Sequence, residues 1–296
     1  MSAPVDQVLI TQFSNLLHVE AQQTKSRLMG RFPSVPVTAD EWSYDGTGQV
    51  IARTANERNP RISPVNPEFS RRRMLRDRIV VELIVDNRDV RGMFENPSSK
   101  LVRDCMFAIN RKADAIGIAA LFADVSTGRR FDTTITFAGN GGQTVNATAG
   151  LTYAKLLEIR ANFRKNEVGT DMPENILIGL SEQEETALFN ITQLTSGDFS
   201  RNYVVDKGQV VQVLGMDLIC FGSGVDNPQL SVASAVRTCF AASTQGLIYG
   251  MSKEFGVKVI PDYPGYIEST YIQVLGEIGA VRTDEQRIQK VTTTAT

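Results

Sequence analysis

Histidine is almost missing from this chain: His18 is the only one in 296 residues. One imidazole cannot build a histidine-rich metal centre, and a Ser-His-Asp or Cys-His site would have to use it. His18 sits in a helical pattern with no motif around it. Cysteine is scarce as well. Cys105, Cys220 and Cys239 are odd in number, far apart and set among apolar neighbours, the pattern of buried reduced thiols. No stretch reaches about 18 uncharged apolar residues, so no transmembrane helix is expected. Met1 to Lys25 lacks the basic start and continuous apolar run of a signal peptide. The expectation is a soluble protein made in the cytosol. No internal repeat shows, and only the closing VTTTAT is of low complexity.

What is present is ordinary globular material, in enough length for two modest domains or one elaborated one. Hydrophobic residues make up 42%, and 23 glycines bring the apolar share to about half. The net charge of −2 hides an asymmetry. Residues 53–111 carry thirteen cations against eight acids, whereas residues 112–296 carry fifteen against twenty. Arginine outnumbers lysine, 22 to 9. Arginine suits bidentate pairing with carboxylates across partly buried contacts, so the two blocks read as complementary surfaces within or between copies. Nucleic-acid reading is disfavoured: the basic segment interleaves only Phe69, Phe94 and Phe107, a poor stacking platform.

Along the chain, residues 5–29 keep an approximate 3.6 period through Val5, Val8, Leu9, Phe13, Leu16 and Leu17, and predict an amphipathic helix. From Gly30 to about Arg78, prolines 33, 36, 60, 64 and 67 punctuate a stretch with few core residues. Within it, Glu41–Tyr44 and Gln49–Thr54 flank Asp45-Gly46-Thr47-Gly48, a hairpin signal. A segment this long that cannot bury itself reads as a functional projection. Ile79–Val85 predict a strand behind an arginine cluster. Asn96-Pro97-Ser98-Ser99 is a helix start, and apolar residues at 101, 102, 105, 106, 109, 113, 116 and 120 predict a rod of about 35 Å. Then come a strand over Phe131–Phe137, a helix over Leu151–Lys165, a buried strand over Glu174–Leu180, and a helix over Ser181–Asn190 opened by a Ser181/Glu184 capping box. Residues 191–204 read as loop. Gln209–Phe221, Ala235–Gln245, Val257–Pro261 and Tyr271–Gly276 complete a strand-rich tail with one short helix.

Motifs for chemistry are weak. Gly139-Asn140-Gly141-Gly142 lacks the Lys-Ser/Thr of a P-loop and reads as a loop tip. Glu182, Glu184 and Glu185 complement a helix N-terminus and need no metal. Asp114, Asp124 and Asp132 do not share a face, and Arg129-Arg130 reads as a solvated turn. No nucleophile, base and oxyanion donor converge. The sequence argues against an enzyme and calls for no metal or cofactor.

The run from Arg71 to Phe122 resembles the major capsid proteins of tailed double-stranded DNA bacteriophages. The points of likeness are the arginine-rich strand, the turn Asp86-Asn87-Arg88-Asp89-Val90-Arg91, the cap Asn96-Pro97-Ser98-Ser99, and Ala108, Arg111 and Asp114 along the helix. The resemblance implies an α+β chain of the Hong Kong 97-type fold. Its parts are an N-terminal arm (1–30), an extended loop (31–85), a peripheral domain with a spine helix (86–150 and 254–285), an axial domain (151–253) and a C-terminal tail (286–296). It further implies hexamers and pentamers in an icosahedral head around double-stranded DNA, held by non-specific proximity. A separate scaffolding protein (or a scaffolding piece already removed), a portal and a decoration protein are the implied partners, with no membrane and with the virion as the location. An encapsulin-like compartment shell is the alternative by fold. A soluble α/β enzyme with residues 31–78 as a lid is the alternative from another class. Arg71, Arg72, Arg73, Arg76 and Arg78, with Trp42 and Tyr44, are the expected subunit-contact residues. Strand alternation sends Arg72, Arg76 and Arg78 to one face and Arg71 and Arg73 to the other, and a neighbour's acidic half is the expected source of their carboxylates.

Overall fold

The computed structural model describes residues 22–87, 98–191 and 205–294, apart from 55, 57, 59–60, 63, 149, 170–174, 207–208, 211, 223–228, 253–255 and 262. In chain order the elements begin with β1 (Ser34–Pro36), β2 (Glu41–Thr47), β3 (Phe69–Leu75), β4 (Asp77–Asp86) and the long helix α1 (Ser98–Phe122). β5 (Val125–Thr127), β6 (Thr133–Ile135), β7 (Gln143–Ala147), α2 (Tyr153–Lys165), β8 (Ile176–Ser181) and α3 (Glu182–Phe189) follow. The rest is strand: β9 (Val205–Asp206), β10 (Gln209–Val210), β11 (Gln212–Val213), β12 (Met216–Phe221), β13 (Val232–Ala233), β14 (Val236–Ser243), β15 (Leu247–Met251), β16 (Gly256–Ile260), β17 (Ser269–Arg282) and β18 (Ile288–Thr294).

α1 forms where its apolar stripe requires. Cys105, Ile109 and Ala113 are buried on one side, while Arg103 and Lys112 face water. The helix lies across β17, β4 and β15. β17, fourteen residues long, is the axis of that sheet: β4 runs antiparallel along one edge, and β15 and β16 pair with it over successive stretches, with β1 outside β15. Gly117 admits the closest approach. A Cβ there would stand 1.8 Å from the Tyr249 hydroxyl, so glycine is what lets β15 seat against the helix.

A second, seven-stranded sheet runs β11-β12-β8-β14-β18-β7, with β13 beside β14. Its central strand β8 is buried along its whole length, as a strand covered on both faces must be. α3 starts from it with the expected capping box: Ser181 and Glu184 satisfy each other's end of the helix reciprocally. One continuous core spans both sheets and α1; a smaller one gathers Val37, Met74, Val125, Ile248 and Val281.

Four expectations are corrected. Residues 1–21 of the N-terminal helix lie outside the described residues, but 22–29 are irregular, because their donors turn to the buried carboxylate of Asp114 instead of bonding along a helix. Asp45-Gly46 is not a turn. β2 runs straight through it and pairs with β3, and Gln49–Thr54 form no strand. Residues 286–296 hold a core strand, since β18 is inserted between β14 and β7. The tail's short helix is absent among the described residues, all of whose regular elements from 205 onward are strands.

Candidate functional site

β2 and β3 form a two-stranded ribbon with Asp45 opposite Arg71 and Glu41 opposite Leu75. Among the described residues Arg72 alone pairs onward, with Thr127 of β5, and the ribbon distal to it has no third strand. The ribbon's root is seated well. Met74 is buried in the smaller core, and Trp42 and Tyr44 pack half-buried beside it, their rings 6.4 Å apart. Its far end is not. Val50, Ile51, Ile62, Val65 and Phe69 are all more than half exposed, Ile62 at 94%.

The arginines divide by depth. Arg71 is exposed and pairs with Asp45 at 2.7 Å, holding that carboxyl below its ordinary range through the hydrogen bond. Arg73 reaches Glu41 and lies over the Phe131 ring. Arg78 is exposed on β4, opposite Glu277 in register. Arg76, in the break between β3 and β4, binds Glu277 at 2.9 Å and Asp40 at 3.0 Å. Arg72 is buried, and its fork closes on both oxygens of Glu285 at 2.6 and 2.8 Å. The carboxylates expected from a neighbour's acidic half are thus supplied within the chain, for Arg72 and Arg76 by the corner after β17 and by β17 itself, and for Arg71 and Arg73 by β2. The topology puts β17 and its following corner directly against the ribbon root.

Glu285 is the hub that sequence reasoning missed. Besides Arg72 it accepts from Arg282 Nε at 2.8 Å and from Asn140 Nδ2 at 2.6 Å, which fills its acceptor sites. Arg282, wholly buried, donates through Nη1 to the carbonyls of Leu121 and Ala123 at 2.9 and 2.8 Å. α1 has no basic residue in its own last turn, so this strand-borne cation serves its C-terminal dipole. Burial alone would raise the Glu285 pKa; the hydrogen bonds and charge of Arg72, with Asn140 and Arg282, overcome it and hold the carboxyl at about 2. One carboxylate therefore ties together the ribbon, the end of the helix, the 138–140 turn and the corner between the sheets. The glycine-rich run read as a loop tip supplies Asn140 to this knot.

Other polar residues serve packing. Arg237 binds Ser181, Gln183 and Glu184, and Thr293 of β18 donates to Glu184 at 2.6 Å, tying the last strand to α3. Cys105 and Cys239 are buried and Cys220 half-buried; burial pushes the Cys220 and Cys239 thiols up to about 12, with Glu185 adding to the first. Among the described residues no group of three or more His, Cys, Asp or Glu is placed to hold a metal, and no helix is long and apolar enough to cross a membrane.

A long helix laid across a long-stranded sheet, a second sheet joined to it through one core, and a ribbon whose far end is exposed among the described residues define a capsid subunit of the Hong Kong 97 type. The chain belongs to the phage capsid protein family, whose model matches residues 5–295. It is a structural major capsid protein that assembles from copies of itself in the virion. Solved capsids share the fold at low identity. The capsid of the cyanophage P-SCSP1u is 9% identical, with 100% of this chain and 96% of that one covered and a TM-score of 0.73. The capsid of a native GTA particle gives 12%, 96% and 95%, and 0.70. The mature capsid of bacteriophage PhiM1 gives 12%, 94% and 90%, and 0.67. No curated protein sequence matches the chain.

Proposed function

We propose that copies of this chain close into hexamers and pentamers of an icosahedral head around double-stranded DNA, each ribbon lying on a neighbouring copy. The observation that carries this reading is the unburied far end of the ribbon. Monomeric proteins seldom leave so many large apolar side chains together in water, and a neighbour's surface removes them from it. Within this proposal Arg71, Arg73, Arg78, Trp42 and Tyr44 make the subunit contacts, while Arg72 and Arg76 hold the ribbon at its root. Exposed ion pairs contribute about 0–1 kcal/mol each, but a ring repeats them at every contact. Scaffolding, portal and decoration proteins, non-specific proximity to DNA and synthesis in the host cytoplasm belong to the same proposal, as does an enzymatic role being absent. Negative-stain microscopy of particles from producing cells, with their nucleic acid content measured, tests it. Closed shells carrying DNA are expected. Shells holding only a protein cargo, or a small compact oligomer in place of shells, overturn it.

A further inference from the structure

Asp114 is a fully buried carboxylate in the middle of α1, and residues 22–31 supply its partners. It accepts from the backbone N–H of Arg27 at 2.9 Å and of Leu28 at 3.2 Å, from Ser26 Oγ at 2.5 Å, and from Gln23 Nε2 at 2.5 Å. Among the described residues, its hydrogen-bond donors come from the strap. Its burial is tolerable only while the strap lies across it, because an unpartnered carboxylate in the core is strongly destabilising.

The strap's other side meets the seven-stranded sheet, and there the fit is looser. The Arg27 guanidinium donates to the carbonyl of Cys220 and lies over the Phe221 ring, Gln23 accepts from Gln229 at 2.8 Å, and Arg31 stands 3.7 Å from Asp217. Between strap and sheet lies an open cleft of about 440 Å³, lined by Ser26, Arg27, Met29, Glu185, Ile219 and Cys220 among others. On the helix side Asp114 takes four donors, Asp104, Asn110 and Arg111 add bonds to residues 22 and 24, and Leu28 is buried in the core; on the sheet side the strap makes a few polar contacts beside the cleft.

We propose that residues 22–31 are a strap latched to the spine helix by Asp114. Release of that latch uncovers the cleft over Cys220 without unfolding the helix or either sheet. With the latch open the strap lifts from α1 and from the seven-stranded sheet together. The inference rests on the subunit alone, so it stands or falls independently of the shell.

Asp114→Asn is the direct probe. An amide of the same shape offers one acceptor oxygen, and its NH₂ faces donors that need acceptors. Ser26→Ala is the milder variant, which removes one donor and leaves the carboxylate in place. The readout is labelling of each cysteine by a neutral thiol reagent, resolved by mass spectrometry on the intact chain, alongside trypsin cleavage after Lys25 and Arg27. Asp114→Asn is expected to label Cys220 about tenfold faster or more, since each lost hydrogen bond to a charged group weighs ~1.5–3 kcal/mol. Ser26→Ala should lie between it and the parent. Cys105 and Cys239 stay slow, and cleavage at Lys25 and Arg27 accelerates. Unchanged labelling of Cys220 in both variants overturns the latch. So does a parallel rise at all three cysteines in Ser26→Ala, which means general loosening.

Discussion

Glu285 is a buried carboxylate whose charge two arginines hold in place. Its carboxyl is held at about 2 against an ordinary value of 4.5. A depressed carboxyl stabilises the fold above its unfolded pKa, and that stabilisation is lost as pH falls through the folded value. A shift of this size corresponds to about 3 kcal/mol, fully present above pH ~5 and gone near pH ~2. Urea midpoints at pH 7, 4 and 3 should therefore fall steeply for the parent. Glu285→Gln should be weaker by about 3 kcal/mol at pH 7, with a visibly shallower dependence below pH ~5, because it leaves Arg72 and Arg282 buried without their counter-charge. Parallel pH profiles for the two proteins would contradict the assignment. The arginine run was plain in the sequence, and its side-chain type announced bidentate pairing. Its partner was not, because Glu285 stands 213 positions from Arg72 and only the threading of β17 brings them together. Asp114 was in view too, but its partners were not, because the strap's donors stand 86 to 91 positions away in the sequence.

At the scale of elements, local signals succeeded where one pattern dominated and failed where a distant group competed. The α1 stripe and the Ser181/Glu184 box each settle their element by neighbours three and four residues away, and both stand as read. Residues 22–29 show the opposite. Their helical period is weak, and one buried carboxylate outcompetes it for the backbone donors. The turn signal at Asp45-Gly46 is likewise overridden by seven paired residues of β3, with the Asp45–Arg71 pair across the ladder. Residues 286–296 read as a C-terminal tail closing in VTTTAT, yet Thr293 and Val291 are buried in β18. The meeting of α1 and β15 gives a test at this scale. Gly117→Ala gains about 1 kcal/mol of helix propensity but places a methyl where the Tyr249 hydroxyl sits, for a net loss of about 1–3 kcal/mol. In a Tyr249→Phe background the loss should shrink, though not vanish, since the ring carbon beneath the hydroxyl is also only 2.6 Å away. Chemical denaturation of the four proteins of this cycle measures the coupling; equal losses in both backgrounds would refute the close packing.

The described residues combine two well-buried sheets sharing a core with one ribbon whose far end none of them covers. Its root is tied by Arg72 and Glu285 to the corner where the sheets join, so its direction is fixed by the fold while its far end stays open. Subunits of a shell divide in this way, with stability held inside each copy and the remaining apolar surface completed by the next. The measurement that tests this most directly is amide hydrogen exchange over residues 49–54, in dissociated subunits and in assembled particles. Fast exchange in the subunit and slowing by about tenfold or more in the particle is the result this account predicts. Equal protection in both states would contradict it, because the ribbon would then be complete without a neighbour.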